Sequence, residues 1–227
     1  MEDFEKKRQF MTDTVRAYGI RDESVLEAMR IVPRHLFVRP EMQDLSYENI
    51  ALPVDFEQTI SQPYTVGHML EMLELKKGQN VLEIGSGSGY NAALIAYIIG
   101  KAGKVTSVEL IYELTQIAIK NIAAARSELK KQKIELAKTE IVCDDGSLGY
   151  PKNKPYDRVI ITAATPTVPD NIFKQLKDGG IVIAPVGTPS SCRMVKAVKI
   201  KGKIHRTAGK ENFGFVPLRG EHGYRKY

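Results

Sequence analysis

Two cysteines in 227 residues are too few for a disulfide framework, and Cys143 and Cys192 stand too far apart for a thiolate metal site. That scarcity fits a reducing cytoplasm. Tryptophan is absent, and no run of about eighteen apolar residues exists that would cross a bilayer. Residues 1–8 are charged rather than leader-like, so a cytoplasmic protein with no membrane partner is expected. The four histidines, His35, His68, His205 and His222, show no ligand spacing, and no metal is expected. Charge of one sign does not dominate: 33 Lys and Arg against 27 Asp and Glu leave a net +6. The lysines at 130–138 and 196–210 have no interleaved aromatic residues on which bases would stack. Runs such as Glu-Leu-Lys-Lys-Gln-Lys read as a solvated helix face, so no nucleic-acid partner is expected.

What the chain does have is a glycine turn between two apolar runs. Val81-Leu82-Glu83-Ile84-Gly85-Ser86-Gly87-Ser88-Gly89-Tyr90 joins a short run at 80–84 to an unbroken one at 90–99. The reading is a buried parallel strand that passes into a helix. Gly85, Gly87 and Gly89 lack Cβ atoms, so the chain can turn sharply and let a small molecule lie against the peptide planes and the helix start. A dinucleotide fingerprint spaces its glycines G-x-G-x-x-G. This loop is G-x-G-x-G, which ranks a nicotinamide dehydrogenase last. Glu83 precedes the first glycine, and Glu109 ends the next apolar run, 104–110. Glu109 suits a ribose diol, but a second carboxylate beside the loop would repel a pyrophosphate and favours a cationic ligand. In these features the sequence resembles the class I S-adenosylmethionine-dependent methyltransferases. The resemblance implies S-adenosyl-L-methionine as cofactor, S-adenosyl-L-homocysteine as product, and cofactor contacts from Glu83, Gly85, Gly87, Gly89 and Glu109.

A second stretch, Glu-Gln-Thr-Ile-Ser-Gln-Pro-Tyr at 57–64, carries the acceptor side. Pro63 suits the first position of a helix with Gln62 at its N-cap, and Val66, Met69, Leu70 and Leu73 recur at helical spacing up to Leu75. Residues 59–62 form the loop into that helix. Backbone N–H groups there, beside the Ser61 hydroxyl, would bind a carboxylate. Taken alone, Ser61 reads more simply as a residue at a helix start.

Together the two stretches resemble the signature of the protein-L-isoaspartate O-methyltransferases, enzymes that methylate damaged aspartyl residues. Val32-Pro33-Arg34-His35-Leu36-Phe37-Val38, residues 82–93, Asp145-Gly146-Ser147-Leu148-Gly149, Pro155-Tyr156-Asp157 and the Phe-Val-Pro-Leu of residues 213–223 agree with that family in order. Two departures are Asp144, where the family has glycine, and a charged insertion at 126–136, expected as extra surface helix. The resemblance implies Ser61 as the catalytic donor, with Ile60, Gln62, Pro63, Tyr64, Val216, Pro217 and Leu218 against the substrate and Arg219 adding attraction for a carboxylate. It also implies Asp145, Gly146 and Thr162 beside the cofactor. The implied partners are damaged proteins or peptides carrying isoaspartyl residues. A monomer is expected, with an oligomer left open. A methyltransferase acting on RNA is the first alternative, weakened by the lack of an N-P-P-Y type tetrapeptide; a module that binds the cofactor without turnover is the second.

The expected fold is α/β: a Rossmann-like, doubly wound, seven-stranded, mostly parallel sheet with an N-terminal helical cap, in one domain over 1–227. Within it, 1–75 form the cap and substrate side, 76–190 the cofactor-binding core, and 191–227 the late strands and closing segment. Helices are expected over 1–18, 22–29, 63–75, 90–99 and 171–176, with an extended cap segment at 39–56. Strands are expected over 80–84, 104–110, 139–143, 158–161, 179–184, 194–200 and 204–208, and by resemblance the last of them are ordered unlike those of most class I methyltransferases. Methyl transfer to a carboxylate needs no strong base, because a carboxyl with an ordinary pKa near 4 is already ionised at neutral pH.

Overall fold

The computed structural model describes residues 4–224. Seven strands form one sheet: β1 Asn80–Ile84, β2 Lys104–Glu109, β3 Lys138–Cys143, β4 Tyr156–Ile161, β5 Leu176–Thr188, β6 Ser191–Ile200 and β7 Lys203–Phe213. Their spatial order is β3-β2-β1-β4-β5-β6-β7. The first five run parallel, and β6 and β7 are antiparallel additions at one edge. The parallel strands are apolar on both faces, as Val159-Ile160-Ile161 illustrates, because helices cover both sides.

On one face, helices α1 Phe4–Ala17, α2 Glu23–Ile31, α3 Pro63–Leu73, α4 Tyr90–Ile99 and α5 Tyr112–Lys131 pack with Val81, Val105, Ile160 and Ile183. On the other, α6 Asp170–Gln175 and short 3-10 turns bury Leu82, Ile84, Val159, Ile161 and Val182. The alternation along β1 therefore sends Leu82 and Ile84 to one layer and Val81, with Glu83, to the other. Asp22 starts α2 as expected, its carboxylate accepting from Ser24 N at 2.8 Å and Val25 N at 3.3 Å.

Several boundaries differ from expectation. Strand β5 begins at Leu176, taking that residue from the helix, since Leu176 pairs with Tyr156; at its far end it extends to Thr188 because the hairpin with β6 carries the ladder to Ser191. Helix α3 stops at Leu73, where Glu74 takes a left-handed φ of 53°. The segment 39–56 is not extended throughout: Pro40–Leu45 is a 3-10 turn, and Leu52–Pro53 pairs with Thr59–Ile60 in a two-stranded ribbon, so 59–60 are strand rather than loop. The ribbon turns on Phe56 and Glu57, both left-handed, at φ 59° and 58°. The charged insertion is a continuation of α5 to Lys131, and Arg126 faces inward, donating to the carbonyls of Leu136 and Ala137 and to Thr139 Oγ1.

Candidate active site

The carboxyl ends of β1, β2 and β4 open into a cleft walled on the far side by the ribbon and by the closing segment after β7. Gly85, at φ 97°, donates its N–H to Val108 O at 2.8 Å. Any Cβ at Gly85 would run into Thr162 Oγ1, which donates to Ile84 O at 3.0 Å and Gly85 O at 2.7 Å. Thr162 thus stitches the end of β4 to the glycine loop. Gly87 faces open space: a Cβ there would meet nothing within 4 Å. Its N–H donates to Glu109 Oε2 at 3.0 Å, and Glu109 Oε1 accepts from Ile111 N at 3.1 Å. Glu109 is therefore fixed at the strand end with its carboxylate on the cleft wall.

Not every expected contact reaches the cleft. Gly89 is needed for packing instead, since a Cβ there would press on Ile122 and on Ala118 O of α5 at 3.1 and 3.2 Å. Glu83 lies behind the wall, fully buried. Its Oε1 accepts from Asn91 Nδ2 at 2.7 Å, its Oε2 accepts from Ser107 Oγ, and Ser107 Oγ in turn lies 2.6 Å from Ser86 Oγ. Strand alternation is the cause, because the face opposite Leu82 points under α4, where Asn91 lies. Asp145 also turns away from the cleft: Oδ1 accepts from Ser147 N at 2.9 Å and Ser147 Oγ at 2.7 Å, and Oδ2 accepts from Glu221 N at 2.7 Å. It clasps the closing segment, while its neighbour Gly146 lines the cleft.

Burial is the main reason that the Glu83 carboxyl is pushed up to about 7 from the usual 4.5, against the two hydrogen bonds that favour its charged form. Below pH 4.5 folded and unfolded chains both carry the proton. Between 4.5 and 7 only the folded chain keeps it, so stability falls as pH rises through that window. Urea unfolding of wild type and Glu83→Gln should therefore converge near pH 4.5 and separate toward pH 7, the variant gaining on the order of 3 kcal/mol at most. A difference that stays flat with pH would contradict the shift.

A second cavity adjoins the first. It is lined by Ala51, Gln62, Thr65, Asn212, Phe213 and Phe215, and the two cavities share Thr59, Ser61, Thr162 and Val216. Ser61 thus stands at the seam, and no hydrogen bond occupies its hydroxyl among the described residues. Ile60, Val216, Pro217 and Leu218 line the first cavity, Ile60 held by its pairing with Leu52 and the other three by a parallel bridge in which Ala164 N donates to Val216 O at 2.8 Å and Leu218 N to Ala164 O at 2.7 Å. Arg219 also lines the first cavity rather than the second. Pro63 and Tyr64 line neither; Pro63 is buried at the start of α3, and Tyr64 OH donates to Glu211 Oε2 at 3.0 Å while its ring stacks with His68.

The sequence reading missed three residues. Asn91, on the cleft wall, bonds Glu83. Asn49 does the capping that Gln62 does not: its Oδ1 accepts from Tyr64 N at 2.9 Å. Asn49→Ala should cost about 1 kcal/mol, read as a lower urea midpoint with an unchanged slope. The third, Arg34, is fully buried, with Nε donating to Ser46 O at 2.7 Å and Nη2 to Ser61 O at 2.8 Å. Its short-range signal was only the Val-Pro-Arg stretch, and both partners are carbonyls, which no side-chain pattern reveals.

The cleft opens at the carboxyl ends of the parallel strands beside the glycine loop, the place where an α/β sheet holds a nucleoside-bearing ligand. Its donor set, a strand-end carboxylate beside exposed glycine peptide planes, fits the ribose and the cationic sulfonium of S-adenosylmethionine. No group of three His, Cys, Asp or Glu side chains that could hold a metal occurs among the described residues.

Comparison with known proteins agrees with that chemistry. The model of the protein-L-isoaspartate(D-aspartate) O-methyltransferase family matches residues 5–223. A protein-L-isoaspartate O-methyltransferase of Dictyoglomus turgidum is 40% identical over 98% of this chain and 95% of its own. A solved protein-L-isoaspartate O-methyltransferase superposes with a TM-score of 0.79 at 32% identity, over 95% of this chain and 67% of that one. A Plasmodium falciparum structure in complex with S-adenosyl-L-homocysteine shares the fold at a TM-score of 0.79 and 22% identity, over 93% of this chain and 98% of that one. By the length and strength of these matches, the chain belongs to the protein-L-isoaspartate(D-aspartate) O-methyltransferase family.

Proposed function

We propose that this chain transfers a methyl group from S-adenosylmethionine to the free carboxylate of isoaspartyl residues in damaged proteins, the step that begins their repair. The observation that carries the reading is the seam at Ser61 and Thr162, where a cleft suited to a nucleoside meets a second cavity suited to a peptide. Bound S-adenosylmethionine supplies a methyl on a sulfonium sulfur, so that a carboxylate C–O bond forms as the S–C bond breaks and S-adenosylhomocysteine is left.

The chain's own residues do the positioning. Glu109 accepts from a ribose diol, the peptide planes at Gly85 and Gly87 form the floor, Gly146 leaves room beside them, and Thr162 keeps the loop closed on β4. Glu83 and Gly89 act from behind, shaping the loop without touching the ligand, and Asp145 holds the closing segment. Ser61 donates a hydrogen bond that fixes the acceptor carboxylate, which is ionised at neutral pH and needs no base. Ile60 and Gln62 on one side and Val216, Pro217 and Leu218 on the other check the path of the substrate backbone, the feature that separates a β-linked aspartyl residue from a normal one. Pro63 and Tyr64 set the start of α3 rather than meeting the substrate.

The two free cysteines, Cys143 exposed and Cys192 buried, support a cytoplasmic setting. Among the described residues no helix is long and apolar enough to cross a membrane.

The deciding experiment supplies labelled S-adenosylmethionine with matched peptides that differ only in Asp or isoAsp, and with RNA as a third acceptor. Methylation of the isoaspartyl peptide alone is expected. Transfer to RNA, or equal transfer to both peptides, would overturn the reading.

A further inference from the structure

Arg34 has no role in the chemistry above, yet it is the largest of the fully buried side chains. Removing a guanidinium from water is costly unless its charge is met, and no carboxylate pairs with this one among the described residues. Instead it spans three separate parts of the site. Nε donates to Ser46 O in the cap, Nη2 donates to Ser61 O, and Cζ lies 4.9 Å from the ring centre of Tyr90. Tyr90 follows the last loop glycine, opens α4 and lines the first cavity. Ser61 sits on the shared wall of both cavities.

We propose that Arg34 is a positioning residue: a buried strut that fixes the Ser61 peptide relative to the Tyr90 end of the glycine loop, and so sets the span between methyl donor and acceptor carboxylate. The inference rests on the function proposed above. The physical case is geometric. A planar fork holds two carbonyls at fixed angles, whereas an ammonium on a flexible stem imposes no fixed angle between its partners. A carbonyl held at Ser61 fixes the peptide plane directly beyond its Cα and so restricts the positions from which the side chain can aim the hydroxyl. An in-line displacement loses rate steeply when the reacting atoms drift by about 1 Å.

The test uses Arg34→Lys and Arg34→Met, each alone and combined with Ser61→Ala. Turnover is counted per binding-competent site, titrated with S-adenosylhomocysteine, so that misfolded molecules drop out of the measurement. In the wild-type background both substitutions should lower kcat for isoaspartyl peptide at least tenfold, while the dissociation constant of S-adenosylhomocysteine changes fivefold or less. In the Ser61→Ala background the same substitutions should change kcat less than twofold, because the strut acts through Ser61. Equal losses in both backgrounds, or an unchanged kcat per competent site with only a lower melting temperature, would overturn the proposal and leave a structural arginine. Should Arg34→Met give no binding-competent protein, the Arg34→Lys pair decides alone. Failure of the wild type to methylate isoaspartyl peptide would instead sink the proposed function, so the two failures are separable.

Discussion

Ser61→Ala is expected to lower turnover on an isoaspartyl peptide by about a hundredfold, the usual effect of removing one preorganised donor from a reacting oxygen. Affinity for S-adenosylhomocysteine should stay within about twofold, because the hydroxyl makes no bond that shapes the donor cleft. The same split distinguishes Ser61 from a residue that merely starts α3: a purely local defect would lower stability and leave kcat per folded molecule intact. Nor can a neighbour readily take over. The Tyr64 N–H is occupied by Asn49 Oδ1, and position 63 is a proline with no N–H to offer. Steady-state kinetics with peptide and cofactor varied separately decide the matter, and an unchanged kcat would remove Ser61 from the chemistry.

Gly85→Val should abolish detectable binding of S-adenosylhomocysteine in a calorimetric titration and lower the melting temperature. Two effects act together. A β-branched residue resists the φ of 97°, and its Cβ would displace Thr162 Oγ1 from the carbonyls of Ile84 and Gly85. Gly87→Ala is the internal contrast. Its φ of 51° lies where left-handed residues are tolerated, and its Cβ meets nothing within 4 Å, so the fold should lose only about 1 kcal/mol. A Gly85→Val protein that binds cofactor normally would show that the stitch to Thr162 is dispensable.

The parts of this molecule that were legible in the sequence are those decided locally. The glycine loop, the strand before it and the helix after it follow from neighbours a few residues apart, and short motifs singled out Ser61 and Val216, which line both cavities. Glu83 was read as a cofactor contact, yet it is buried behind the cleft wall, because motif spacing names a residue without saying which layer its side chain enters. Asp145 likewise read as a ligand contact, yet its partner Glu221 lies far along the chain and only folding brings the two together. The lengths of β5 and β7 were underestimated because an edge hairpin lengthens its strands by pairing, and pairing is not written in propensity. Arg34 and Asn49 were invisible for a related reason: they meet a backbone carbonyl and a backbone N–H, which every residue carries.

The turn at Phe56 and Glu57 has a wider bearing. Neither side chain favours a left-handed backbone, and two such residues in succession are normally the province of Asn-Gly. A synthetic peptide spanning the ribbon would consequently be unstructured in isolation. What keeps it bent is outside itself, including Arg39, which donates to Val54 O and Asp55 Oδ1. Half of the catalytic chamber is thus borrowed order: its shape depends on contacts from the amino-terminal cap, and a locally melted cap would leave the donor platform facing nothing.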